Sequence, residues 1–474
     1  MGEYFLAVDL GASGGRHILG ALEDGKIKLE EVYRFTNGMD EINGTLCWDV
    51  KRLFTEIKNG LKKCKELHKI PVSMSIDTWA VDFVLLDESD EMIGNAVGYR
   101  DSRTTHMDEK VYEVIPPDEL YARTGIQKQI FNTIYQLMAV KEKHPENLLK
   151  AKSMLMLPDY FHFLLTGEKK MEYTNATSTQ LINPKTHDWD YELIRRLGYK
   201  EELFVPVSMP GTKVGNFTKE IQDEVGFDCN VILPATHDTA SAVMAVPTNS
   251  DRAIYISSGT WSLMGIETKE ANCSKESMQA NFTNEGGYEY RNRFLKNIMG
   301  LWMIQSARKE FMENNTSKAE ELSYATICEL ASKEKISSLV DCNDEVFLAP
   351  KSMILAVQEY CKKTNQQVPQ GIGEIASVIY NSLANCYRQA VEQIESITKE
   401  TYDVIHVVGG GSNAEYLNEL TAKYTGKTVY AGPGEATAIG NLIAQMIKAG
   451  LFKDLKEARK CVSESFDINK YNIR

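Results

Sequence analysis

The sequence predicts an α/β chain of two related domains with a ligand cleft between them, and three observations carry that prediction. First, 474 residues with 43% hydrophobic and 25% charged content supply more than one buried core. Second, one pattern occurs twice: an apolar strand, a turn of small residues and a second apolar strand. It runs through Tyr4–Glu23 around Gly11–Arg16, and again through Ala253–Glu267 around Ser258-Gly259-Thr260. A repeat at this distance marks two domains of one ancestry rather than a solenoid. Third, the buried strand Val404–Val408 runs into Gly409-Gly410-Gly411 and then a helix start at Ser412-Asn413. Strand, glycine turn and helix N-terminus in that order form an anion or nucleotide nest. The boundary falls near Val246, giving domains 1–246 and 247–474.

Composition narrows the partners. The net charge is -13 without a dense basic stripe, which argues against nucleic acid and an anionic membrane. An acidic surface still permits phosphate binding, because backbone N–H groups can cradle it. The nine cysteines include no Cys-x-x-Cys pair, so they read as reduced thiols of a cytoplasmic protein, not as a zinc site. Met1-Gly2 begins a myristoylation pattern, but Leu6 stands where Ser or Thr is needed. No basic, then apolar leader precedes the first strand, and no apolar run approaches the roughly 20 residues of a membrane helix.

In the first half, Gly11-Ala12-Ser13-Gly14-Gly15-Arg16 is a turn whose small residues let a phosphate approach the backbone. No Gly-Lys-Ser/Thr follows, and a strand stands where a dinucleotide fingerprint needs a helix. Asp9 lies on the buried strand before the turn, a placement suited to a metal ion's neighbour. Asp49 N-caps a helix with Leu53, Ile57 and Leu61 on its buried face. Val72–Asp87 reads as two central strands carrying Asp77 and Asp82, either with Trp79 between them as a flat wall for a sugar ring or with a structural Asp capping backbone at a strand end. Tyr99–Thr104 reads as a surface knot of charge, or alternatively as Arg and Asp grips for hydroxyls. Residues 107–170 read as helical, with Ile134, Leu137 and Met138 inward, His162 on a helix face and a glycine stop at Gly167. Tyr173–Gln180 is rich in hydroxyls and amides, either a helix start or a pocket lining.

In the second half, Val231–Val246 reads as a strand, a charged turn at Thr236-His237-Asp238-Thr239, and a helix of small residues. Asn297 is placed between a strand and a helix that Gly300 starts, with Gln305 further along that helix. Gly371–Thr398 keeps a helical period throughout. A short strand at Thr428–Tyr430, a turn at Gly432-Pro433-Gly434 and a small-residue helix from Glu435 follow; that helix is expected to lie beneath a nucleotide.

Residue chemistry leaves the catalytic base open among Asp9, Asp77, Asp82, Asp101 and Asp238. The ordered set Ala7–Ser13, Ser75–Trp79, Val81–Asp87, Tyr99–Thr104, Thr236–Val243, Ser257–Gly265, Phe294–Trp302 and Gly432-Pro433 with Glu435-Ala436 resembles the FGGY family of sugar kinases, whose members share the actin-like ATPase (ribonuclease H-like) fold. The resemblance covers nearly the whole chain. It implies transfer of the ATP γ-phosphoryl group to the 1-hydroxyl of L-rhamnulose, with Mg2+ on the phosphates and Asp9 near it. It implies Asp238 as proton acceptor. His237, Asp238, Thr239, Asn297, Trp79, Ala80, Asp82 and Arg100 would meet the sugar, and Ala12, Ser13, Gly14, Gly15, Arg16, Thr260, Gln305 and Gly410 the nucleotide. Arg16 would neutralise phosphate charge or pair with an acid. Two positions depart from the family: Gly14-Gly15 stands for Ser-Gly, and Ala80 for a glycine after the tryptophan. The protein is expected to be a monomer or homodimer that closes around its ligands at a hinge near Val246–Arg252. Three rivals remain: a family kinase for fuculose, xylulose or glycerol, an actin-like ATPase of chaperone or filament type, and a sugar-binding regulator without catalysis.

Overall fold

The computed structural model describes residues 3–314 and 322–472. Met1-Gly2, weighed above as a lipid acceptor, lies outside the described residues, as do residues 315–321 of the poorly patterned stretch 311–365. Two compact units divide the chain, and neither is contiguous. The first comprises Met1–Ala245, Glu267–Phe294 and Ala436–Ser465; the second comprises Val246–Ile266, Leu295–Glu435 and Phe466–Arg474.

The first unit is built on a six-stranded sheet. Its strands run in the order Lys213–Asn216, Asn230–Ile232, Pro71–Thr78, Tyr4–Gly11, Gly14–Glu23 and Lys26–Thr36. Tyr4–Gly11 is central and reads Phe-Leu-Ala-Val without a polar break, as a strand covered on both faces must. It pairs antiparallel with Gly14–Glu23, setting Asp9 opposite Arg16, and parallel with Pro71–Thr78, setting Asp9 beside Asp77. Helix Val50–Glu66 begins at Asp49, whose carboxylate accepts from the Arg52 N–H, and buries Leu53, Ile57 and Leu61. Only the first of the two strands expected in Val72–Asp87 is central. The second, Phe83–Leu86, pairs with Ser153–Met156 in a separate two-stranded sheet. Apart from that strand, residues 107–170 are mainly helical, and Gly167 ends the last helix at φ 76°. His162 lies on the helix Leu157–Thr166, on its buried side, and its Nε2 accepts the Ile76 N–H at 3.0 Å.

In the second unit, strand Ala253–Ser258 pairs antiparallel with Trp261–Thr268 and parallel with Val404–Val408, which is followed by Thr428–Ala431 and Asn469–Tyr471. The first unit has the same arrangement: a hairpin whose first strand takes the parallel neighbour. The long helix Gly371–Thr398 buries Ile372, Ile375, Ile379, Leu383, Cys386, Ala390 and Ile394. It packs on helices Tyr324–Lys333 and Glu415–Thr425, and Tyr387 hydrogen-bonds Ser262 at 2.7 Å. Among the described residues no helix is long and apolar enough to cross a membrane.

The small-residue helix Ala436–Lys448 belongs to the first unit and packs closely there. A Cβ on Gly440 would stand 1.7 Å from the Ser241 carbonyl oxygen of helix Asp238–Met244. Only glycine permits that approach.

Candidate active site

In the first unit, the sheet gathers three acids. Thr78, at the end of its strand, donates its N–H to the Thr236 carbonyl at 2.9 Å, and Thr78 bridges to His237. The end of the Asp77 strand therefore holds the turn Thr236-His237-Asp238. Asp77 is fully buried; its Oδ2 accepts from Asn441 Nδ2 at 2.6 Å, and its Oδ1 has no hydrogen-bond partner among the described residues. Burial, then the charge of Asp9, raises the Asp77 carboxyl well above the usual range. Asp9 is answered across the hairpin by Arg16, NH2 to Oδ2 at 2.6 Å, the pairing with an acid that was one of the two roles expected for Arg16.

Asp238 opens helix Asp238–Met244, where backbone N–H groups favour an anion. Its Oδ1 accepts from the Thr239 N–H at 2.5 Å and the Thr239 hydroxyl at 3.1 Å, while 35% of the side chain stays exposed. Burial, then the charge of Asp9, pushes its carboxyl up to about 6. The far end of this helix is held by Arg459, which donates to the Met244 and Val243 carbonyls and pairs with Glu267 at 2.7 Å.

The turn before Asp238 hangs from a residue that sequence reasoning missed. Glu172 is buried, and its carboxylate accepts from the Thr236 N–H at 3.0 Å, the Thr236 hydroxyl at 2.8 Å, the Thr174 N–H at 2.8 Å and the Thr174 hydroxyl at 2.5 Å. The only hint in the sequence is an acid at the head of the hydroxyl-rich run, which proves to be the short helix Tyr173–Thr177. Arg293 and Glu285 were missed as well: they flank His237, as set out below.

Asp82 is 2% exposed, and its two oxygens accept from Trp48 Nε1, Trp79 Nε1, the Tyr99 N–H and Gln136 Nε2 at 2.7, 2.9, 3.1 and 3.1 Å. Burial still pushes its carboxyl up to about 6. Trp79 is not the open wall expected of it: it is 8% exposed and lies against Trp48 with centroids 4.1 Å apart. Ala80 is half-buried at the turn, and Val81 beside it adopts φ 69°, a left-handed conformation strained for a β-branched residue. The Val81 carbonyl is pinned by the Thr133 hydroxyl at 2.7 Å and Gln136 Nε2 at 3.1 Å, which keeps the turn in place. Arg100 is exposed and stacks on the Tyr99 ring. The surface knot expected around it is partly buried: Asp101 accepts the Leu46 N–H at 2.8 Å, and Arg103 donates to Gln136 Oε1 at 2.6 Å.

The first glycine loop is braced by Asn37, whose N–H reaches the Ser13 carbonyl and whose Nδ2 reaches the Gly11 carbonyl. Ala12 and Ser13 lie at the hairpin tip. The Gly14-Gly15 departure has a local cause. A Cβ on Gly14 would stand 3.0 Å from the Phe35 carbonyl oxygen, and one on Gly15 2.2 Å from the Phe35 ring.

In the second unit, the turn Ser258-Gly259-Thr260 holds a helix start. The Leu301 and Trp302 N–H groups donate to the Gly259 and Thr260 carbonyls at 3.1 Å, and helix Trp302–Asn314 carries Gln305. Ser258 also meets the glycine triple. A Cβ on Gly409 would lie 3.0 Å from its carbonyl oxygen, and one on Gly411 1.9 Å from its Oγ, whereas one on Gly410 would meet nothing. Thr260 and Gly410 are both exposed. Asn297 lies inside strand Asn292–Met299, not between strand and helix, and its Oδ1 is buried without a hydrogen-bond partner among the described residues.

Comparison with known proteins agrees with this architecture. The N-terminal domain model of the FGGY family of carbohydrate kinases matches residues 4–245, and its C-terminal domain model matches 254–449. A rhamnulokinase of Halalkalibacterium halodurans is 52% identical over 469 residues, covering 99% of this chain and 98% of its own. One of Oceanobacillus iheyensis is 50% identical over 466 residues, covering 98% of this chain and 97% of its own. The solved gluconate kinase of Lactobacillus acidophilus superposes with a TM-score of 0.80 at 16% identity, covering 100% of this chain and 94% of its own, a likeness of fold. Residues from one end of the sequence to the other thus match one family, and the chain belongs to the FGGY carbohydrate kinases.

Proposed function

We propose that this chain is a rhamnulokinase that transfers the γ-phosphoryl group of ATP to the 1-hydroxyl of L-rhamnulose, giving L-rhamnulose 1-phosphate and ADP in cytoplasmic L-rhamnose catabolism. The observation that carries the substrate is identity of 50–52% with rhamnulokinases over almost the full chain. In this reading Asp238 takes the hydroxyl proton as the phosphoryl group arrives, and such a base contributes about 10²–10⁴-fold. Its partly exposed carboxylate, oriented by Thr239 and raised to about 6, is suited to that task. His237, Thr239 and Asn297 contact the sugar. Arg100 and Ala80 border it, while Trp79 and Asp82, both buried, shape the turn that carries them. The turn Ala12–Arg16, Thr260, Gln305 and Gly410 receive the nucleotide, which assigns the base, the first phosphate loop and every sugar contact but Asn297 to 1–246, and the remaining nucleotide contacts to 247–474. Asp9 offers the hard carboxylate oxygen that Mg2+ prefers, together with phosphate oxygens, and the ion would neutralise phosphate charge. The active species is a monomer or homodimer.

A coupled ADP assay against L-rhamnulose, L-fuculose, D-xylulose and glycerol tests the assignment. L-Rhamnulose is expected to give the highest kcat/KM by at least about tenfold, the discrimination that one or two hydroxyl contacts supply. Equal or better turnover of another acceptor overturns it.

A further inference from the structure

His237 lies one residue before the proposed base and is 7% exposed. Two groups of opposite charge face its Nδ1. Arg293 NH2 is 3.0 Å away, and Glu285 Oε2 is 3.3 Å away. Asp238 Oδ1 faces the other ring nitrogen, Nε2, at 3.5 Å. Arg293 is 0% exposed; its Nε donates to the Gly286 carbonyl at 2.9 Å, and its NH2 pairs with Glu285 Oε2 at 3.0 Å.

Two proton arrangements compete at Nδ1. A proton there would point at Glu285, but it would also confront a guanidinium N–H that has no acceptor capacity and does not deprotonate. A bare Nδ1 accepts from Arg293 and removes that conflict. An imidazolium would set a second buried cation against the guanidinium, and burial together with the Arg293 charge holds the His237 pKa well below its ordinary value. The single proton of a neutral ring then resides on Nε2, the nitrogen on the Asp238 side.

We propose that the buried Arg293–Glu285 pair fixes His237 as the Nε2-protonated tautomer, so that the ring always presents a donor beside Asp238. Arg293 and Glu285 are positioning residues in this scheme, acting on the sugar only through His237. The scheme rests on the reading of His237 as a sugar contact. An Nε2–H beside a carboxylate selects an acceptor with one proton to give next to it: a ketose oxygen that accepts from His237, adjacent to the hydroxyl that Asp238 deprotonates. A carboxylate at position 237 could accept from the guanidinium but would have no donor left for the sugar.

Long-range proton–nitrogen NMR on the full-length protein labelled with 15N-histidine reads the tautomer without any sugar, with His237 identified by its loss in His237→Asn. The wild type is expected to show Nε2–H and bare Nδ1 between about pH 5 and pH 8, with no imidazolium. Arg293→Met is expected to shift His237 toward Nδ1–H and to raise the KM for L-rhamnulose by about tenfold or more, the usual cost of a lost charge-assisted bond. The KM for ATP should change little, and Arg293→Lys should restore part of the loss. Nδ1–H or a cationic ring in the wild type overturns the proposal, as does an unchanged tautomer in Arg293→Met. If Arg293→Met does not fold, the wild-type spectrum still decides. Failure to phosphorylate L-rhamnulose while the Nε2–H tautomer is found would strike the substrate assignment alone.

Discussion

Asp238 serves two opposed demands. A general base must be ionised, yet burial and Asp9 hold this carboxyl up at about 6. The rate at low sugar concentration should therefore climb with pH through about 6 and level off above it; a profile already flat from pH 5 would exclude Asp238 as the titrating base. The same shift touches stability. Because the folded pKa lies above the reference of 3.8, the stabilising contribution is full below the unfolded value and fades as pH rises through about 6. Asp238→Asn is thus expected to lose about 10²–10⁴-fold in kcat. It should also melt no lower, and preferably higher, than wild type at pH 7.5, with the two converging near pH 4. The glycine triple offers a second contrast. Gly410→Ala adds a methyl that meets nothing, so its Tm should be unchanged while the KM for ATP rises. Gly411→Ala places a Cβ 1.9 Å from Ser258 Oγ and should lower the Tm as well. Equal thermal behaviour of the two alanine variants would remove the distinction.

At the scale of elements, the pair of helices Asp238–Met244 and Ala436–Lys448 is where local pattern and tertiary cause part company. Gly440 and its small neighbours read as a surface for close packing, but the pattern does not name the partner at Gly440, which is the Ser241 backbone. Gly440→Ala is expected to destabilise by about 1–3 kcal/mol in denaturant titrations, the cost of overpacking a closed contact; a neutral result would mean that the helices separate freely. The helix itself, the hairpins, the Asp49 cap and the Gly167 stop were all legible, because each is written in apolar spacing or one capping residue. Glu172, Arg293, Glu285 and Asn441 were not. Each is a polar residue whose partner lies far away in sequence: Asn441 serves Asp77, and Glu172 serves Thr236. A buried polar residue looks like a surface one until its partner is known. Trp79 erred the other way, since an exposed wall and a core indole closed by Trp48 have the same local sequence.

At the scale of the molecule, the first unit is completed by a segment from the far end of the chain. Gln445 donates to the Leu6 carbonyl at 3.0 Å and accepts from the Ser73 hydroxyl at 2.7 Å, and Leu442 fills the space that Gly20 leaves open. Residues 1–246 expressed alone lack these partners. They should therefore bind the dye ANS and resist concentration, whereas the same fragment joined by a flexible linker to 267–294 and 436–465 should give a cooperative melt. A well-folded 1–246 would show that the late segment is dispensable. The contact between Leu6 and Gln445 also has a meaning in time. A ribosome makes residue 445 some tens of seconds after the first strand, at about 5–20 residues per second. Until then the central sheet has an uncovered apolar patch, and Asp77 lacks its amide. The nascent chain waits for its own later segment, and a cell making this kinase must shelter that surface until that segment has emerged.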